Sequence, residues 1–239
     1  MSAFKAVFFD FDGTLVDLRA GPGGMDELRD RLADLFASAG IPATLRPFYP
    51  GVDRALEALR HLEDAERTRL WTLTVATIEA YELEFSRRSE PRPHAAETWK
   101  AVASRFPSGI ASSNTRASIQ RSLSLHGVWD GWTSLRLVAF EDVDRHKPDP
   151  APLLRLADML RLRPGDVAAH VGDHVSDLEA CRAFNQLGAA RLVPIMVQGG
   201  KCRWEDVVAH RGFSAAHAIA DLSELLPILE AGCCADDSG

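Results

Sequence analysis

Residues 5–17 read KAVFFDFDGTLVD. The run from Ala6 to Phe11 is short, apolar and aromatic, and it breaks off in Asp12-Gly13-Thr14, which predicts a β-strand entering a tight turn. Two carboxylates, Asp10 and Asp12, therefore stand at the carboxyl end of a strand. In an open parallel sheet, ligands bind outside the carboxyl ends of strands, so chemistry is sought among the polar residues directly after each later strand.

Past Asp17 the pattern turns helical. Leu28, Leu32, Leu35 and Phe36 recur at helical spacing between Met25 and Ala39, and Gly40 closes that segment. Val52, Leu56, Leu59 and Leu62 mark a second helix after Pro50 and Gly51. Leu70 to Phe85 predicts a third, with Trp71, Ile78, Tyr81 and Phe85 as its core-facing stripe. Residues 89–94, SEPRPH, form a Pro-punctuated linker. Beyond it strands and helices alternate: strand 106–112, helix 116–125, strand 137–140, then helix 152–162 stopped by Pro164 and Gly165. Strand 167–171, helix 177–187 ended by Gly188, and strand 192–197 follow; Pro194 suits an edge position in the last. This alternation predicts an α/β fold, a Rossmann-like parallel sheet with helices on both faces. The all-helical block that separates the first strand from the others, about 70 residues, is long enough to be a small domain.

Acidic side chains outnumber basic ones by 34 to 27, a net charge of −7, with no run of Lys or Arg. That balance argues against a nucleic acid polymer or an anionic membrane as partner. No stretch approaches the roughly 20 apolar residues of a membrane span, and Asp10, Asp12 and Asp17 interrupt the apolar start where a signal peptide needs continuity. The four cysteines, Cys181, Cys202, Cys233 and Cys234, have neither disulfide-scaffold density nor C-x-x-C spacing, so reduced thiols in a cytoplasm are expected. The tail after Leu229, with Asp236 and Asp237, reads as a frayed end.

Strand 106–112 is followed by Ser112, Ser113 and Asn114; RHKPDP, residues 145–150, carries Lys147; strand 167–171 leads into GDHVSD with Asp173 and Asp177. With DFDGT, these four clusters in this order resemble the motifs of the haloacid dehalogenase superfamily of phosphatases and phosphotransferases, from Lys5 to about Leu192. A helical block between the first and second motifs is similar to the subgroup with a helical cap, to which phosphoglycolate phosphatases and β-phosphoglucomutases belong. On that resemblance the core is residues 1–16 and 91–239, and the inserted all-helical cap domain is residues 17–90.

The resemblance implies roles. Asp10 attacks phosphorus and becomes an aspartyl-phosphate, while Asp12 protonates the leaving oxygen and then activates water. Mg²⁺, which prefers oxygen ligands, is expected on Asp10, Asp173 and the backbone carbonyl of Asp12. Ser112, with Ser113 as the alternative, and amides near Gly13 would donate to the phosphoryl oxygens. Lys147 supplies positive charge against the repulsion that shields a phosphomonoester, and Asp177 braces Lys147 or the metal's surroundings. The expected partner is a small phosphorylated metabolite, and the expected assembly is a monomer or homodimer.

Other features have plainer readings. Gly21-Pro22-Gly23-Gly24 lacks the strand and the Lys-Ser/Thr ending of a phosphate loop, so a hinge is expected. Asn114 suits a helix cap. His94, His146 and His170 lack metal-ligand spacing, and His174 stands at the rim or on the substrate. Arg19, Arg46 and Arg54 are surface residues unless they read an anionic group. Asp12 argues against dehalogenation, which needs no proton donor, and the absence of lysine from residues 17–90 argues against a Schiff-base phosphonate hydrolase. A sugar phosphomutase and a non-catalytic phosphate- or partner-binding module are the competing readings.

Overall fold

A computed structural model of the chain describes residues 3–130, 135–188 and 190–232. Strand β1 (Ala6–Phe9) runs into a turn and the two-residue β2 (Val16–Asp17). Three helices follow: α1 (Gly24–Ser38), α2 (Phe48–Ala58) and α3 (Asp64–Ser86). The chain returns through β3 (Glu90–Pro91), antiparallel to β2, so the two crossings into and out of the helical insertion are paired with each other. Then come α4 (Ala95–Ala103), β4 (Ser108–Ala111), α5 (Arg116–Leu125), β5 (Leu137–Val138) and α6 (Ala151–Met159). The chain continues with β6 (Val167–Gly172), α7 (Val175–Gln186), β7 (Arg191–Val197), α8 (Trp204–Ala209), β8 (Ala218–Ile219) and α9 (Leu225–Ala231).

The main sheet has the order β5-β4-β1-β6-β7-β8, and each pairing in it is parallel. β1 lies at its centre because both faces of the strand are apolar. Val7 and Phe9 join Ile110, Val171 and Trp99 on one face, and Ala6 and Phe8 join Ala111, Leu153 and Phe184 on the other. Helices α4, α5 and α9 supply the first layer and α6 and α7 the second, as the alternation in the sequence predicts. From β1 the chain builds outward to β4 and β5, then crosses to β6 on the other side, so the order reverses at β1. A crevice at the carboxyl end of β1 follows from that reversal. The insertion has its own core of Leu28, Leu32, Phe36, Val52, Ala55, Leu70 and Ile78, into which Phe140 reaches from the segment after β5.

Several sequence expectations are corrected. β7 is not an edge strand, because β8 pairs beyond it; β8 lies beside Met196 and Val197 alone, so at Pro194 the strand has one neighbour and the missing N–H is tolerated. Helix α4 went unforeseen, although Ala95, Thr98, Trp99 and Val102 form its buried stripe. α2 begins at Phe48, with Pro50 accommodated in its first turn, and α3 begins at Asp64 rather than Leu70. Strand 106–112 shortens to β4, and strand 137–140 shortens to β5 before a 3₁₀ turn at Phe140–Asp142. α9 continues to Ala231, past Leu229; Cys233, Cys234, Asp236 and Asp237 lie outside the described residues. No helix among the described residues is long and apolar enough to cross a membrane.

Candidate active site

The residues after β1 make a tight turn in which the N–H groups of Thr14, Leu15 and Val16 all donate to the Phe11 carbonyl. Gly13 has φ 93°, a left-handed conformation that glycine adopts without strain, and a side chain there would collide with the Asp173 carboxylate. The Gly13 N–H donates to the Val16 carbonyl at 2.8 Å, so it serves the turn and is not presented to a phosphate. Thr14 Oγ1 donates to Asp173 Oδ1 at 2.9 Å. The end of β1 is thereby fastened to the end of β6.

Lys147 reaches this junction from the loop before α6. Its Nζ lies 2.7 Å from Asp10 Oδ1 and 2.7 Å from Asp177 Oδ1, and all three side chains are nearly enclosed. Asp177 stands in the first turn of α7, where its Oδ2 accepts the His174 N–H at 3.0 Å. His170 Nε2 lies 3.1 Å from Asp177 Oδ1. Asp10, Asp173 and Asp177 each bring one carboxylate oxygen to within 4.8 Å of the others.

Burial pushes the Asp10 and Asp173 carboxyls up from their ordinary values, each to about 6, and neighbouring carboxylates add to the push. Burial likewise raises Asp12 to about 7, against the opposing pull of Lys201 and the Leu18 N–H. Asp177 is the opposite case: burial works against its charge, but Lys147 and His170 hold it far below the usual carboxylate range. Lys147, although buried, is held above the usual lysine value by Asp10 and Asp177. Carboxyls pushed apart in this way separate into an ionised partner and proton-carrying groups.

Three buried carboxyls face one ammonium. Asp10, Asp173 and Asp177 gather carboxylate oxygens at one point, and a donor set made of oxygens suits a hard divalent ion such as Mg²⁺.

Ser112 directly follows β4; its Oγ donates to Asn114 Oδ1 at 3.0 Å and accepts the Asn114 N–H at 3.2 Å, with Ser113 buried beside it. Asn114 is not the helix cap: Thr115 holds that position on α5. Instead Asn114 Nδ2 donates to Glu82 Oε1 at 2.8 Å and to the Tyr49 hydroxyl at 3.2 Å. Glu82 comes from α3 in the insertion. Its other oxygen accepts the Thr115 N–H at 2.7 Å, the Thr115 hydroxyl at 2.7 Å and the Ser118 hydroxyl at 2.8 Å. A second buried tie joins insertion to core, where His146 Nδ1 and Asp53 Oδ1 are 2.5 Å apart and the His146 ring stacks on Phe140.

Glu82, Tyr49 and Lys201 escaped the sequence reading. Glu82 carried a signal, because the buried face of α3 runs Leu70, Thr74, Ile78, Glu82 at steps of four, and a carboxylate on an apolar stripe needs partners. The stripe expected through Trp71 and Tyr81 is thus shifted; both are only partly buried, and Trp71 stacks on Phe140. Lys201 carried none, since its partners lie over 180 residues away. Its Nζ meets Asp12 Oδ1 at 3.3 Å and Asp17 Oδ1 at 2.5 Å.

The remaining candidates do not converge on the site. Arg19 pairs with Asp17 and Glu90, Arg46 with Asp26, and Arg54 donates to the Thr44 carbonyl. Gly23 is the N-cap of α1, His94 the N-cap of α4, and His174 caps α7 by accepting the Ser176 N–H.

Comparison with known proteins gives a consistent answer. The family model for haloacid dehalogenase-like hydrolases matches residues 4–185. The phosphoglycolate phosphatase of Rhodospirillum rubrum is 28% identical over 236 residues, covering 95% of this chain and 93% of that protein. A haloacid dehalogenase-like hydrolase structure from Bacteroides fragilis superposes with a TM-score of 0.63 at 21% identity, covering 93% of this chain and 99% of that one. A family hydrolase from Deinococcus radiodurans, solved with bound phosphate and sodium, gives a TM-score of 0.56 at 22% identity, with 97% and 98% covered. With the motifs in order along residues 4–185 and set at the carboxyl ends of the central strands, this chain belongs to the haloacid dehalogenase-like hydrolase family.

Proposed function

We propose that the protein is a Mg²⁺-dependent phosphatase that hydrolyses a small phosphomonoester through an aspartyl-phosphate at Asp10, with residues 17–90 as a cap over a core of residues 1–16 and 91–239. The observation that carries the reading is the shared contact of Lys147 with Asp10 and Asp177 beside Asp173 and Asp12. It assembles a nucleophile, a fixed cation and a proton-carrying acid at one strand end.

In the first step an Asp10 carboxylate oxygen forms a bond to phosphorus as the bond to the leaving oxygen breaks, and Asp12 delivers its proton to that oxygen. In the second step Asp12 takes a proton from water, whose oxygen displaces Asp10 from phosphorus, releasing phosphate and restoring both carboxyls. Asp10, Asp173 and the Asp12 backbone carbonyl would hold Mg²⁺, which when bound supplies positive charge against the phosphoryl oxygens. Lys147 adds its own charge to that screening and keeps the Asp10 carboxylate in place. Ser112 hydrogen-bonds a phosphoryl oxygen once its hydroxyl turns from Asn114, and Ser113 offers a neighbouring hydroxyl.

The relative from Rhodospirillum rubrum makes phosphoglycolate the first substrate to try. Free thiols at Cys181 and Cys202 suit a reducing cytoplasm. The test is phosphate release from phosphoglycolate, sugar phosphates and nucleoside monophosphates, with and without Mg²⁺. Metal-dependent release from one class supports the reading; isomerised sugar phosphate without free phosphate would replace it with a mutase.

A further inference from the structure

Strand β7 ends at Val197, and the four residues after it run back across the acidic centre between the two crossings that enter and leave the insertion. On the returning crossing, Arg92 donates to the carbonyls of Gly199 and Gln198, each at 2.6 Å. On the outgoing crossing, the Lys201 ammonium lies 2.5 Å from Asp17 Oδ1 and also donates to the Leu18 carbonyl. The loop is anchored below as well: the Lys201 N–H donates to Asp173 Oδ2 at 2.6 Å, and a side chain at Gly200 would collide with that carboxylate. The segment is therefore pinned to both crossings and to the site.

The same Lys201 ammonium lies 3.3 Å from Asp12 Oδ1, and that oxygen accepts the Leu18 N–H at 2.8 Å. Two donors thus hold one oxygen of the Asp12 carboxyl, one belonging to the outgoing crossing and the other tied to it. The opposite oxygen is left as the one that can face a leaving group. The Lys201 side chain is one-third exposed, so its stem covers the crossing while its head bridges two acids.

We propose that Lys201 is a positioning residue, which fastens the Asp12 carboxyl to the outgoing crossing so that the orientation of the insertion and that of the acid–base group are set together. The role assigned to Asp12 rests on the phosphatase reading. Nothing in the four motifs marks Lys201, and its contribution comes through Asp12, not through contact with the transferred group.

The experiment compares wild type, Lys201→Met and Lys201→Arg on two Mg²⁺-dependent reactions: hydrolysis of an alkyl phosphomonoester, whose leaving oxygen needs a proton, and of p-nitrophenyl phosphate, whose leaving group does not. Lys201→Met should lose about 30-fold in kcat on the alkyl ester with KM changed by less than about threefold, and less than about threefold in kcat on the nitrophenyl ester. Lys201→Arg should recover most of the loss. Equal losses on both esters, or no loss on either, would overturn the proposal. Hydrogen–deuterium exchange is the second readout, with amides 16–18 exchanging about tenfold faster in Lys201→Met. If wild type cleaves neither ester, the phosphatase reading fails, and exchange alone decides whether Lys201 fastens the crossing: unchanged rates would refute it. Should Lys201→Met not fold, Lys201→Gln serves the same comparison.

Discussion

Glu82, on a helix of the insertion, accepts the backbone N–H of Thr115 at 2.7 Å and so occupies the N-terminus of α5, which packs on the main sheet. Such a position favours a carboxylate, because the first amides of a helix lack partners within it. Here the partner comes from the insertion, next to the loop that carries Ser112. Glu82→Ala would leave the N–H and hydroxyl of Thr115 buried without their acceptor and take one acceptor each from Asn114 and Ser118, which keep the Tyr49 hydroxyl and the Thr115 carbonyl, at a cost of about 3 kcal/mol. Urea unfolding measures that loss, and a change under about 0.5 kcal/mol would contradict the role.

Lys147→Ala removes the ammonium shared by Asp10 and Asp177 and leaves those two buried carboxylates facing each other. Turnover should fall by at least about 100-fold, with a lowered melting temperature as well. Lys147→Arg should not restore activity, since the side chain is only 4% exposed and the enclosure fits a compact head. Steady-state kinetics with thermal unfolding on both variants checks this.

The placement of polar residues at strand ends was legible because it is local. Asp10, Asp12, Ser112, Asp173 and Asp177 each follow a strand that apolar runs betray, and the sheet order does the rest by bringing those ends together. What stayed hidden depends on distant pairing. Pro194 marks a place with one neighbour, not an edge strand, because β8 is two residues long and its sequence has no strand pattern. Lys201 became meaningful only when β7 placed its loop over Asp12 and Asp17. Helix α4 was readable from Ala95, Thr98, Trp99 and Val102, but the prolines just before it masked the start.

Metal-free stability should fall as pH rises from about 5 to 7.5. Asp10, Asp12 and Asp173 keep their protons in the folded chain to about 6, 7 and 6, whereas unfolded carboxyls release them near 3.8. The folded state therefore binds more protons across this window, and the free energy of unfolding decreases with pH. Asp177 is ionised in both states there and adds no slope. A melting-temperature drop of about 5 °C is expected, with Mg²⁺ raising stability at pH 7.5 by binding the folded state. A melting temperature that climbs over this range would contradict the carboxyl assignments.

Asp12, raised to about 7, should govern the alkaline limb of the reaction. As the free enzyme loses that proton, kcat/KM on an alkyl phosphomonoester should decline above about pH 7. For p-nitrophenyl phosphate the decline should be shallower, because its leaving group departs without protonation. Identical alkaline limbs for the two esters would remove Asp12 from the role of acid.

The central claim is that phosphorus becomes bonded to Asp10, and trapping tests it most directly. Wild-type protein is mixed with substrate and Mg²⁺, quenched within milliseconds and treated with borohydride, which reduces an acyl phosphate to an alcohol. Peptide mass analysis should then find homoserine at position 10 and none in Asp10→Asn protein. Homoserine at Asp12 or Asp173 instead, or an unmodified Asp10 under conditions where phosphate is being released, would contradict the account.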